Sequence, residues 1–246
     1  MLTALFADIH ANREAFSACL AHAERSNVDR HVFLGDYVGY GADPGWVVDQ
    51  VMAHVERGAR AIMGNHDEAI SSPSDLMNPT AAEAIDWTRA QLDSTQRAFL
   101  RDLPLSFEER DRLLVHANAW APADWDYVIE PRDARRSLQA TRCRTTLCGH
   151  VHSPALYHTT AGGKVGELTP VAGIGIPLLA PRRWLAVLGS VGQPRDRNPA
   201  ACYGLLDEDR DLLTYVRVRY DVETAARKIR EAGLPPVLGM RLEQGY

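Results

Sequence analysis

At 246 residues, 46 % hydrophobic and 24 % charged, the chain has an ordinary globular composition, which suits one large domain spanning residues 1–246 better than two small ones and allows a sizeable core without a disulfide scaffold. With 27 Lys and Arg against 32 Asp and Glu, the net charge is −5, so the chain attracts no polyanion globally, any phosphate must be held locally, and extended nucleic-acid binding is not expected. There is no signal-peptide pattern and no apolar stretch near the ~20 residues that span a bilayer, and the four cysteines form no CxxC, so the expectation is a cytoplasmic protein with no membrane partner and reduced thiols.

The first apolar run, Leu2 to Ala7, reads as a short buried strand entering Asp8-Ile9-His10. Asn12 can cap a helix from Arg13 to Ala23, with Ala15, Phe16, Cys19, Leu20 and Ala23 on one face. His31 to Leu34 is a second strand, entering Gly35-Asp36. Asp43-Pro44 then starts a helix through Trp46, Val47, Val51 and Val55 to Gly58. Ala59 to Met63 is a third strand, entering Gly64-Asn65-His66-Asp67. This βαβαβ order predicts parallel strands with right-handed crossovers.

Two helices follow, Pro79 to about Leu92 and Ser94 to about Leu100, then short strands near Leu105 and Leu113, the latter entering His116. Ala117 to Glu130 holds Trp120, Trp125 and Tyr127 with little periodicity and reads as a long loop, either functional or simply a cover. A helix fits Pro131 to Gln139, and strand Thr145 to Cys148 enters Gly149-His150-Val151-His152. Leu156 to Thr159, Val165 to Leu168, Trp184 to Leu188, Tyr203 to Leu206 and Leu212 to Tyr220 suggest hairpins. Val171 to Leu179, broken by Gly173, Gly175 and Pro177, reads as a buried loop or short strand. Val222 to Ala232 is a last helix, ended by Gly233 and Pro235. The fold class is α/β, two layered sheets with flanking helices.

Five of these apolar runs end in a side chain able to bind metal. Strand carboxyl ends are where ligands gather in open α/β sheets. Two aspartates, one asparagine and up to five histidines then meet at one edge, enough for a two-metal site of the kind that catalyses in-line displacement at phosphorus. Imidazole and carboxylate suit Mn, Fe, Co, Ni or Zn rather than Ca. A structural zinc site would favour cysteine at ligand spacing, which is absent, and an inactive scaffold should lack some ligands. The His-x-His spacing needs a turn after the strand, which Gly149 can provide. Cys148 reads as packing, and His22, His31, His54 and His158 as structural or surface residues.

In order, Asp8-Ile9-His10, Gly35-Asp36, Gly64-Asn65-His66-Asp67, His116 and Gly149-His150-Val151-His152 resemble the signature of the calcineurin-like metallophosphoesterase superfamily. Gly189 to Asp196 resembles the tail of its small prokaryotic, YfcE/MJ0936-like phosphodiesterase members. The resemblance implies a sandwich of two packed mixed β-sheets. It also implies a dinuclear phosphoesterase that hydrolyses a small phosphoester, foremost a diester, through a metal-bridging hydroxide. A phosphomonoesterase or a nucleotide polyphosphate hydrolase is the alternative. It further implies one metal on Asp8, His10, Asp36 and His152, a second on Asp36, Asn65, His116 and His150, with manganese foremost, and His66 as general acid. Asp67 either orients His66 or caps a turn, and Arg195 either meets substrate phosphate or makes a surface ion pair. One departure stands out. Where protein phosphatases and diadenosine tetraphosphatases read G-D-x-x-D-R-G, this chain has Gly39 and Tyr40 in place of Asp and Arg, which argues against a protein phosphatase.

Overall fold

Strand and helix alternate from the first residues because the apolar spacing alternates between runs and helical stripes. The computed structural model describes residues 1–72 and 77–246. Strand β1 (Leu2–Phe6) carries no charge and is buried beyond its first residue. Helix α1 (Arg13–Arg25) is capped by Asn12, whose side chain accepts a hydrogen bond from the Ala15 amide, and it buries Ala15, Phe16, Cys19 and Ala23. Strand β2 (Arg30–Phe33), helix α2 (Pro44–Glu56) and strand β3 (Arg60–Ala61) complete the expected βαβαβ, with β1–β2 and β2–β3 both parallel.

Strand β3 is shorter than the apolar run predicts. The Met63 amide bonds the Pro104 carbonyl instead of a strand partner, and the chain turns into helix α3 (Asn65–Ser71), whose single buried stripe is too short to show as a periodicity. Helices α4 (Pro79–Gln91) and α5 (Ser94–Arg101) fall where expected. After them come β4 (Ser106–Glu109), β5 (Arg112–Val115), α6 (Pro131–Ala140), β6 (Thr145–Cys148), β7 (Ala155–Thr159), β8 (Val165–Leu168), β9 (Gly175–Pro177), β10 (Trp184–Val187), β11 (Ala201–Asp207), β12 (Leu212–Val218), α7 (Val222–Glu231) and α8 (Pro236–Gln244). Helix α8 was not expected, because Pro235 reads as a stop; its neighbour Pro236 instead occupies a first helical turn, where no amide is needed.

Two six-stranded sheets result, in the orders β3-β2-β1-β11-β12-β9 and β4-β5-β6-β10-β7-β8. Leu5, Leu34, Leu147, Leu188 and Leu213 lie in one buried apolar cluster drawn from both sheets. Phe16 of α1 meets Phe6 edge-on with ring centroids 5.8 Å apart, and Val47 and Val51 of α2 join the same cluster. Leu138 of α6 packs with Val115, Leu185 and Val187 of the other sheet. This is the expected sandwich of mixed sheets flanked by helices. For Val171 to Leu179 the short strand is present and Leu178 is buried, but the burial expected for the rest needs correction. Only Gly175–Pro177 pair, at a sheet edge, and Val171 and Ile174 are 66 % and 59 % exposed, because the glycines carry the segment over the surface. Among the described residues no helix is long and apolar enough to cross a membrane.

In one sheet β1, β2 and β3 run parallel, and in the other β5, β6 and β10 do. The segments that follow these six strands carry every candidate site residue, Asn65 and His66 in the first turn of α3 and the others in loops, and they meet where the carboxyl ends of the two sheets converge.

Candidate metal centre

The loops are laced together before any side chain is considered. The Asp8 amide bonds the Gly35 carbonyl, His10 bonds Asp36, and Gly192 bonds Asp8, so the first two motifs and the β10 loop share a backbone ladder that outlasts their strands. Asp8, His10, Asp36, His150 and His152 all hold positive φ, between 47° and 67°. That conformation is costly for residues with a Cβ and collects at functional sites. Here it breaks strand alternation and turns each side chain into a common cleft. The two imidazoles of Gly149-His150-Val151-His152 therefore share a side because the histidines themselves turn. Gly149 serves another purpose: a Cβ there would lie 2.5 Å from Asp8 Oδ2.

Four imidazoles spend one nitrogen on a backbone carbonyl. His10 Nδ1 lies 3.0 Å from the Val38 oxygen, His152 Nδ1 2.6 Å from Gln193, His116 Nδ1 2.7 Å from Leu34, and His150 Nε2 2.8 Å from Trp125. A carbonyl only accepts, so each of these nitrogens carries a hydrogen, and a neutral ring is left with an inward lone pair. The inward nitrogens face each other: His10 Nε2 and His152 Nε2 are 3.0 Å apart, and His116 Nε2 and His150 Nδ1 3.1 Å. Burial holds His10 and His152 well below the usual imidazole range, and takes His150 down to about 3. Facing lone pairs in a buried site repel unless a cation or proton stands between them.

The carboxylates complete two donor sets. Asp8, His10, Asp36 and His152 each offer an atom within 4.8 Å of the others, and so do Asp36, His116 and His150. Asp36 belongs to both; its Oδ2 is 3.6 Å from His10 Nε2 and 3.4 Å from His116 Nε2. Its other oxygen accepts from the His66 amide at 2.9 Å. Asn65 Oδ1 is buried and, among the described residues, has no hydrogen-bond partner. An orphaned amide oxygen beside convergent imidazoles and carboxylates fits a divalent metal. Burial, opposed by His116, lifts the Asp8 carboxyl to about 8. For His116, burial pushes down, but Asp36 and Asp8 outweigh it and hold the ring at about 9.

Asp67 resolves as a loop brace. Its oxygens accept from the amides of Asp36, Tyr37 and Gly64 at 2.8–2.9 Å, locking the β2 and β3 loops together. Among the described residues His66 Nδ1 has no partner. A Cβ at Gly39 would lie 2.3 Å from it, so this position leaves room for the ring and supplies no carboxylate to orient it. Burial takes His66 down to about 4. Its ring packs on Tyr40 and His10, at 4.6 and 4.8 Å. Arg195 makes no ion pair among the described residues. Its guanidinium lies 5.8 Å from the Tyr40 ring, bonds Gln193 Oε1 at 3.1 Å, and faces the cleft.

Tyr40, Trp125, Tyr127 and Glu68 also line the cleft; the sequence marks Tyr40 only as a departure from the phosphatase pattern, and for Trp125 and Tyr127 the aromatic content of their loop was the available signal. His22, His31, His54 and His158 lie elsewhere, His22 on the Tyr203 hydroxyl, His31 on His54, and His158 against Trp184. The four cysteines are free and buried, Cys148 among apolar residues.

The sequence matches the calcineurin-like phosphoesterase superfamily domain over residues 1–211. It is 32 % identical over 250 residues to an uncharacterized protein, MJ0912, of Methanocaldococcus jannaschii, spanning 99 % of this chain and 98 % of that one. A metallophosphoesterase from Sphaerobacter thermophilus superposes with a TM-score of 0.89 at 33 % identity, covering 100 % and 99 % of the two chains. A hypothetical protein, PH1004, from Pyrococcus horikoshii shares the fold at TM-score 0.79 and 18 % identity, over 100 % and 98 %.

Proposed function

Because the chain belongs to the calcineurin-like phosphoesterase superfamily and is a phosphoric ester hydrolase, we propose that it is a dinuclear phosphodiesterase of small phosphoesters. The observation that carries the reading is the pair of donor sets that meet at Asp36, with the inward nitrogens of His10 and His152 3.0 Å apart and those of His116 and His150 3.1 Å apart. Asp8, His10, Asp36 and His152 would hold one divalent ion, and Asp36, Asn65, His116 and His150 the other. Two bound divalent ions supply Lewis acidity toward phosphoryl oxygens and lower the pKa of water. The mixed imidazole, carboxylate and amide set suits manganese, iron, nickel, cobalt or zinc, and the family resemblance puts manganese first.

The chain's own residues do the rest. Arg195, held by Tyr40 and Gln193, offers its guanidinium to a non-bridging phosphate oxygen. One guanidinium in a cleft that also presents Glu68 and Asp124 suits a singly charged diester better than a dianionic monoester or a polyphosphate. His66 holds a proton toward the leaving oxygen. Its low pKa in the cleft means that the negative charge of the bound ester must favour the imidazolium. Residues 1–246 act as one domain, and the buried free thiols suit a reducing, cytoplasmic compartment. The direct test is elemental analysis alongside hydrolysis of bis-p-nitrophenyl phosphate, where two ions per active chain are expected. Full activity with one ion or none would remove the dinuclear reading.

Two further results are expected. Metal binding should release protons at pH 7. Without a cation, Asp8 (about 8) and His116 (about 9) hold protons there, whereas metal ligands must be deprotonated. Affinity should therefore rise with pH up to the upper of these values. Calorimetry in buffers of different ionisation enthalpy reads the release directly, and a binding enthalpy independent of buffer would contradict it. Asn65→Asp should bind metal yet turn over on the order of 10- to 100-fold more slowly, because an added negative charge weakens stabilisation of the charge that develops on phosphorus. Unchanged turnover at full occupancy would show that this charge is immaterial.

A further inference from the structure

The cleft has two unlike ends. Beside His10 and His152 stand Tyr40 and Arg195, the cationic end. Beside His116 and His150 stand Trp125 and Tyr127, with Glu68 and Asp124. At this second end the Tyr127 ring stacks on His150 with centroids 4.2 Å apart and planes 18° from parallel. One face is thus occupied, yet the residue remains 51 % exposed and lines the cleft, so its free surface is the opposite face and edge. A cover for His150 would gain most by burying both faces of the ring. This one is fixed flat and left open.

The platform is also braced. Trp125 takes a left-handed turn, φ 57°, and its carbonyl receives the His150 Nε2 hydrogen at 2.8 Å. Its indole donates to Glu68 Oε2 at 2.8 Å, tying the loop to α3. A ring held in place before a ligand arrives loses little freedom on binding. Its free π-face selects a planar aromatic group, which stacks on it in offset fashion. The carboxylates of Glu68 and Asp124 at the same end repel further phosphates and offer acceptors to exocyclic amines.

We propose that the Trp125–Tyr127 end of the cleft is a nucleobase subsite, so that the substrate is a nucleoside phosphoester whose base stacks on Tyr127 while its phosphate lies among the histidines. This rests on the proposed phosphoester site and adds the identity of one ester arm. A base on the outer face of Tyr127 is one stacked ring beyond His150, leaving a spacer of about one sugar between base and phosphate.

The test uses titration calorimetry on the metal-loaded chain, which reads binding without turnover. The probes are singly charged diester mimics that cannot be hydrolysed, the 5′-methylene methylphosphinates of adenosine and of ribose, with benzyl(methyl)phosphinate as a third. The adenosine compound should bind about tenfold or more tighter than the ribose compound, the order expected for one base–aromatic stack. Tyr127→Ala should reduce that advantage to under threefold, and Tyr127→Phe should keep it, since the ring and not the hydroxyl is the platform. Equal binding of the adenosine and ribose compounds, or an advantage that survives Tyr127→Ala, overturns the subsite and leaves the phosphoester site standing. Benzyl(methyl)phosphinate matching the adenosine compound also overturns it, because the advantage would then belong to any aryl group and not to a base held one sugar from phosphorus. If none of the three binds, the phosphoester site itself fails and the subsite with it.

Discussion

Asp36→Asn should cost on the order of 10³-fold or more in turnover of any phosphodiester, and should cost more than Asp8→Asn. Both aspartates are buried at the carboxyl ends of neighbouring strands, but their contacts differ. Asp36 Oδ2 lies between the inward nitrogens of His10 and His116, so it serves both donor sets, and its Oδ1 fixes the His66 amide. Asp8 belongs to one set, and both of its oxygens also receive the His150 amide, at 3.0 and 2.9 Å. Neutralising Asp36 removes the charge that lets two cations approach each other. Neutralising Asp8 weakens one site and one loop contact. Metal content separates the cases: the Asp36 variant should lose affinity for both ions and the Asp8 variant for one. Small and equal losses, with two ions retained by each variant, would remove Asp36 from the shared position.

The contrast shows what the sequence made legible. Asp8, Asp36 and His116 each follow an apolar run, and strand ends converge in parallel α/β topologies, so their meeting followed from period and order alone. The left-handed backbone at Asp8, His10, Asp36, His150 and His152 did not, because Asp and His, though enriched in that region, adopt it too seldom to announce it. The energy that holds it comes from cross-loop bonds such as Asp8 to Gly35 and His10 to Asp36, which join residues about one βα unit apart. Asp67 was legible as a polar residue beside the site, but whether it braced loops or oriented His66 depended on where the Tyr37 and Gly64 amides pointed. Val171 to Leu179 misled for the opposite reason. Its residues are apolar, but burial depends on the path its glycines allow. Trp125 and Tyr127 lie in a loop without period, and only the fold brings them over His116 and His150.

His66→Ala should lose little on an aryl diester and much on an alkyl one. The side chain is 4 % exposed, packs on His10 and Tyr40, faces the cleft, and stands outside both donor sets. Its proposed task is to protonate the departing oxygen. A p-nitrophenolate leaves without that help, whereas an alkoxide or a sugar hydroxyl does not. For the latter the loss should be on the order of 10²–10⁴-fold, the usual contribution of a positioned acid. The pH dependence has a definite sign. Burial drives His66 down to about 4, so the acid form is scarce at neutral pH and grows as pH falls. On the alkyl substrate the ratio of wild-type to variant rate should therefore rise from pH 8 to pH 6. On the aryl substrate the ratio should stay near one across the same range. Both measurements need metals counted in each protein, because a lost ion would depress the two substrates together. An equal loss on aryl and alkyl esters with both ions retained would instead place His66 in substrate positioning. Its Nδ1, unpartnered among the described residues and close to Gly39, would then be the atom to examine for a contact that the bound ester completes.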